Sequence, residues 1–146
     1  MNARPGPRPS RLPFPLLRKL AFWGYAAALL TATHWPRLKI DVEGIERPDL
    51  LIHLAAFGLW TFLLTCSGYL GYPERTSTAA RALLLGLIFA AIDEGSQALP
   101  FLHRQVALDD YLANAAGVTL GAGAALVFSR LVIRFLAPHL RQTPKP

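Results

Sequence analysis

Charge is scarce in this chain. Asp, Glu, Lys and Arg make up 16% of 146 residues, against about 25% in a soluble domain. Long stretches, such as 54–73, 82–92 and 111–129, hold no charged residue at all. Cysteine is nearly absent too. The single Cys66 lies inside an apolar run and excludes an internal disulfide. Met1 is the only methionine, which excludes a Met-rich binding surface, and no CxxC or HExxH occurs. His34, His103 and His139 read as solvated loop or tail residues. No metal ligand set has suitable spacing, so neither metal nor cofactor is expected.

What remains is apolar: 53% of the chain is hydrophobic. A spanning helix needs about 20 predominantly apolar residues. The clearest such run is Leu50 to Tyr72, 23 residues in which His53 is the only titratable group near the start. Three further segments complete an all-α polytopic membrane bundle of about four transmembrane helices, over residues 16–35, 50–72, 79–102 and 110–135. A chain this long has room for one domain, here 16–136. Residues 1–15 are rich in proline and arginine and present no apolar face to bury, so they read as a disordered basic tail. Residues 137–146 form a polar tail. The first segment reaches spanning length only if Arg18 and Lys19 snorkel to the headgroups. A cleaved signal peptide is its rival, although no clean Ala-x-Ala site follows.

The net charge is +6. The basic residues flank apolar runs rather than forming a nucleic-acid-binding face, so no nucleic-acid partner is expected. With four spans, eleven Lys and Arg fall on the side of the two termini and the second loop, and four (Arg37, Lys39, Arg47 and Arg104) on the other. The positive-inside rule then places both termini in the cytoplasm. On that topology His53, Asp93, Glu94, Gln97, Arg104, Asp110 and Asn114 all converge on the outer side.

Within the third span Asp93 and Gln97 stand at i,i+4 and Glu94 and Gln97 at i,i+3, on one half of a helix. Ionisable residues at membrane depth are costly and point to function. A structural tie to Arg104 or His53 is the other reading. Asp49 and His53 are also at i,i+4. A carboxylate that orients a proton carrier and a helix-capping Asp explain that pair equally well. Arg104 suits an anionic headgroup or phosphate, whereas Asp109 reads as a solvated cap. Ser96 has no obvious adjacent base. In the fourth span Asp110, Asn114, Gly117 and Gly121 share one stripe. Gly117-xxx-Gly121 is a close-packing motif against the second or third helix, with Asn114 as interhelical glue.

Together these residues resemble the VanZ-like family. The match runs over residues 49–123. It comprises Asp49-Leu-Leu-Ile-His53-Leu-Ala-Ala-Phe57, then Asp93-Glu94-Gly-Ser-Gln97, then Arg104, Asp110, Asn114, Gly117 and Gly121. Leu50 departs from the family's frequent lysine. The resemblance implies a small multi-pass protein of the bacterial plasma membrane. Two functional expectations follow from the cluster. The first is recognition of a cell-envelope or lipid-linked cell-wall component, with membrane lipids as surroundings and Asp49, His53, Asp93, Glu94, Gln97, Arg104, Asp110 and Asn114 as the binding set. The second is a membrane-embedded acid/base enzyme acting on a lipid headgroup, with Asp93 or Glu94 as base, His53 assisting and Arg104 binding an anionic group.

Overall fold

The computed structural model describes residues 14–35, 44, 46–97 and 107–140, with side chains as far as 135. Its elements are four α-helices: α1 (Phe14–Thr33), α2 (Pro48–Cys66), α3 (Thr76–Ser96) and α4 (Leu108–Leu140). No strand occurs among the described residues. Lipid offers no hydrogen bonds to a bare backbone, so each apolar run satisfies its own amides as a helix. Three helices are long and apolar enough to cross a membrane: α2, α3 and Leu108–Phe135 of α4. The first carries Arg18 and Lys19 in its early turns and is not among those three.

The helix ends differ from the sequence expectation in physical detail. Helix α1 starts at Phe14, so the last two residues of the expected tail are helical. Pro48 fits the first turn of α2, where its missing N–H costs no bond. That helix stops at Cys66 rather than Tyr72. The Ser67 hydroxyl donates to Leu64 O at 2.7 Å, and Gly68 and Gly71 take φ of +86° and +122°. Only glycine enters that left-handed region cheaply, so the chain turns there. The remainder of the tail, most of the first loop and residues 98–106, including Arg104, lie outside the described residues.

Packing is reversed relative to a soluble protein. Leu84, Ile88, Ile92, Leu120 and Val127 are exposed, while Thr61, Thr65, Asp93, Glu94 and Asn114 are buried. The exposed aliphatic faces suit lipid, and small or polar side chains mediate contact between helices. Helices α2 and α4 share the most extensive interface. A Cβ added at Gly117 would overlap Leu54 O, and one at Gly121 would overlap Gly58 O. The glycine stripe therefore faces α2, one of the two neighbours expected. Gly86 of α3, not singled out in the sequence, has the same role: a Cβ there would lie 2.6 Å from Val118 Cγ1 of α4. Helix α1 packs on α2 through Phe22 and Trp60, whose rings are 5.6 Å apart. Tyr25 Oη adds a hydrogen bond to Ala56 O at 3.0 Å.

Candidate functional site

The polar residues of the spans gather at one end of the bundle. Helices α1 and α3 finish there, and α2 and α4 begin there. Three groups can be distinguished.

The first joins α3 to α1. The Asp93 side chain is fully buried. Its Oδ1 accepts from Thr33 Oγ1 at 2.9 Å, and its Oδ2 accepts from Gln97 Nε2 at 3.1 Å. The i,i+4 spacing of Asp93 and Gln97 is thus used directly. His34, read from sequence as solvated, belongs to this group and corrects that reading. Its Nδ1 lies 3.0 Å from Leu30 O and 3.8 Å from Asp93 Oδ1. A carbonyl only accepts, so Nδ1 is the donor in its contact with Leu30 O. Ser96 Oγ lies 2.9 Å from His34 Nε2, which also corrects the view that Ser96 has no adjacent base. The same hydroxyl reaches Asp93 O at 2.7 Å. Nothing in local spacing signals the His34–Ser96 contact, which spans 62 residues of sequence.

The second group joins α2 to α4. His53 Nδ1 lies 3.0 Å from Asn114 Oδ1, and His53 Nε2 lies 3.9 Å from Asp110 Oδ2. The carboxylate beside His53 is therefore Asp110, not Asp49. Asp49 turns outward to Arg47, whose Nη2 is 3.1 Å from Asp49 Oδ2 and 2.7 Å from Asp109 Oδ2. Hydrogen bonding to Asp49 and then to Asp109 raises the already high pKa of the Arg47 guanidinium. Nor does Asp49 cap α2: the N-cap is Arg47, and no side chain caps it. These exposed ion pairs contribute little to stability.

Glu94 stands between the two groups. Its Oε1 accepts from Ala107 N at 2.9 Å, one residue before α4 begins. A carboxylate there suits the positive end of the helix dipole. Asp110, His53 and Asp93 all lie within electrostatic range of it.

Among the described residues three atoms of this end are buried without a hydrogen-bond partner, Glu94 Oε2, Asp110 Oδ1 and Asn114 Nδ2, although Asp110 Oδ1 has Arg47 Nη2 at 3.9 Å. Glu94 and Asn114 are 3% and 0% exposed, so water does not compensate either. Burying polar atoms unpaired costs about 1–3 kcal/mol each. Among the described residues the arrangement thus leaves one acceptor, Glu94 Oε2, and one donor, Asn114 Nδ2, that a hydroxyl, amine or amide would satisfy. Among the described residues no group of three or more His, Cys, Asp or Glu is placed to hold a metal ion.

No family model, curated protein or solved structure matches this chain. The VanZ-like resemblance rests on the residues quoted above.

Proposed function

We propose that the chain is a VanZ-like, four-span protein of the bacterial plasma membrane that recognises a cell-envelope or lipid-linked component at its outer face. The observation that carries this reading is the pair of buried atoms, Glu94 Oε2 and Asn114 Nδ2, that have no hydrogen-bond partner among the described residues. Helices from three separate parts of the sequence present polar groups at one end, and a bundle held only by packing has no use for such unpaired atoms. Mass spectrometry of lipids retained by the purified protein tests it. The wild type is expected to retain a polar lipid or lipid-linked component above its bulk abundance. In Glu94→Gln that enrichment should fall at least about ten-fold, the worth of one hydrogen bond to a charged group. Identical profiles for the two proteins would sink the reading.

In this proposal α1 is the fourth span, with Arg18 and Lys19 at the headgroups, and both termini are cytoplasmic. Its support is the charge asymmetry of the bundle. Among the described residues Arg18, Lys19, Arg75, Arg81, Arg130 and Arg134 lie toward one end and Arg47 at the other. A reporter that is active only outside the cytoplasm should stay silent when fused after Pro146. An active fusion would overturn this topology.

A second reading, an enzyme acting on a lipid headgroup, has its own observations. His34 Nε2 stands against Ser96 Oγ with Asp93 behind the ring. Against it, Ser96 ends α3, where carbonyl dipoles and Asp93 disfavour a developing oxyanion. A fluorophosphonate discriminates. If Ser96 Oγ displaces fluoride from its phosphorus while His34 Nε2 takes the proton, labelling seen in the wild type and lost in His34→Gln moves the reading to catalysis.

A further inference from the structure

The opposite end of the bundle holds a cavity of about 560 Å3 between the start of α1, the α2–α3 turn and the far part of α4. That volume lies within the range of small-molecule sites, roughly 300–1,000 Å3. Phe14, Tyr72, Phe128, Val132 and Ile133 make its walls apolar. Several of these rims are exposed on the outside of the bundle, with Phe14 68% and Tyr72 65% accessible. One cation lines the cavity, Arg18, and one carboxylate, Glu74.

Arg18 differs from Arg81 and Arg130 at this end. Arg81 donates to Leu70 O at 3.1 Å. Arg130 donates to Glu74 O at 3.1 Å and to Thr76 Oγ1 at 3.0 Å. Among the described residues Arg18 Nε is buried with no hydrogen-bond partner. Its guanidinium packs instead on the Phe14 ring, 5.1 Å from the centroid. Gly68 lies beside it: a Cβ there would be in ordinary contact with Arg18 Nη2, at 3.7 Å. The terminal segments 1–13 and 136–146 contain no Asp or Glu, so neither brings an acidic side chain to it. A guanidinium fork with an empty donor, set in apolar walls, matches a phosphate carried by an apolar body. Glu74 on the same wall limits the anion's charge. A singly charged phosphodiester is balanced by Arg18, whereas a doubly charged phosphomonoester is repelled.

We propose that this cavity holds a glycerophospholipid, its phosphodiester on the Arg18 guanidinium and its acyl chains against Phe14, Phe128, Val132 and Ile133. This site is separate from the Glu94 cluster, at the other end of the helices, and the two are tested independently.

Native mass spectrometry of the full chain in detergent, titrated with dioleoyl phosphatidylglycerol or with dioleoylglycerol, reads the first bound lipid. The wild type should prefer the phospholipid about ten-fold or more, the scale of hydrogen bonds to a charged group. Arg18→Gln should lose that preference. Val132→Trp, which fills the cavity and keeps the cation, should lose both lipids. Arg134→Gln, exposed on the far part of α4, should behave as wild type. If Arg18→Gln misfolds by circular dichroism, Val132→Trp decides, and phospholipid retained there overturns the proposal. So does an Arg18→Gln protein that keeps the preference, a wild type with none, or displacement of the phospholipid by millimolar inorganic phosphate.

Discussion

Replacing Gly121 with leucine should separate α4 from α2 and abolish folding of most of the protein in detergent. A single Cβ at this position already overlaps the Gly58 carbonyl. Backbone cannot move aside as a flexible side chain can, so the helices must part. Overpacking of an ordinary core costs about 1–3 kcal/mol. Here the affected contact is the largest interface of the bundle, and the loss should reach at least the upper end of that range, a fall of over a hundred-fold in the folding constant. Separation of α2 from α4 would also break the His53–Asn114 bond about two turns further along. Gly123→Leu is the control. It lies about 200° round the helix from Gly121, is exposed, and an added Cβ there meets nothing within 4 Å. Leucine at that site is a better helix former than glycine by nearly 1 kcal/mol, so this variant should be as stable as wild type or slightly more stable. Thermal unfolding of both variants checks the pair. Equal midpoints would refute the packing role of the Gly117–Gly121 stripe.

The second large effect should follow from Asp93→Ala. A groove of about 420 Å3, lined on its two sides by Phe22 and Trp23 of α1 and by Leu85, Ile88 and Ile92 of α3, lies between these helices. The Thr33–Asp93 and His34–Ser96 bonds close its end. Removing the carboxylate takes away an acceptor of Thr33 Oγ1 and the acceptor of Gln97 Nε2. Leaving a buried donor such as Gln97 Nε2 without its acceptor costs about 1–3 kcal/mol. Helix α1 should then swing from α3 while keeping part of its contact with α2. A cysteine placed at Ala26, buried on the inner face of α1, reports this in a Cys66→Ala background. Maleimide labelling at that position should rise at least ten-fold in Asp93→Ala, with a smaller rise in Asp93→Asn, which keeps the shape and one acceptor. Labelling as slow as in the parent would mean that α1 is held without the polar tie.

The two experiments address different kinds of information. The helices themselves were legible in the sequence. A run such as 54–73 without a charge has one stable backbone conformation in lipid, because only a helix pairs its own amides there. The inward face of α4 was legible too. Two glycines at i,i+4 are costly in a helix unless another backbone approaches, so Gly117 and Gly121 marked a contact before its partner was known. The gathering of polar groups at one end followed from position alone, since each lies near a helix terminus on the same side. Physical chemistry acting along one helix is enough for all of these inferences.

Partners across helices depended on the tertiary structure. Helices α2 and α3 are apolar on most sides, so periodicity gave neither of them an inward face, and rotation decides which residues meet. That rotation turned Asp49 out to Arg47 and placed Asp110 beside His53. It put α2 rather than α3 against the glycine stripe, and made Gly86 a second close contact. It brought His34, at the end of one helix, against Ser96, at the end of another. The lone donor of Arg18 was likewise invisible in the sequence, where Arg18 reads as one more topology charge. An unpaired buried atom is a property of everything that fails to reach it, which only packing of all four helices determines. The sequence by itself determined that the chain forms apolar helices with a polar end; the three-dimensional packing decided which polar atoms are paired and which are left open.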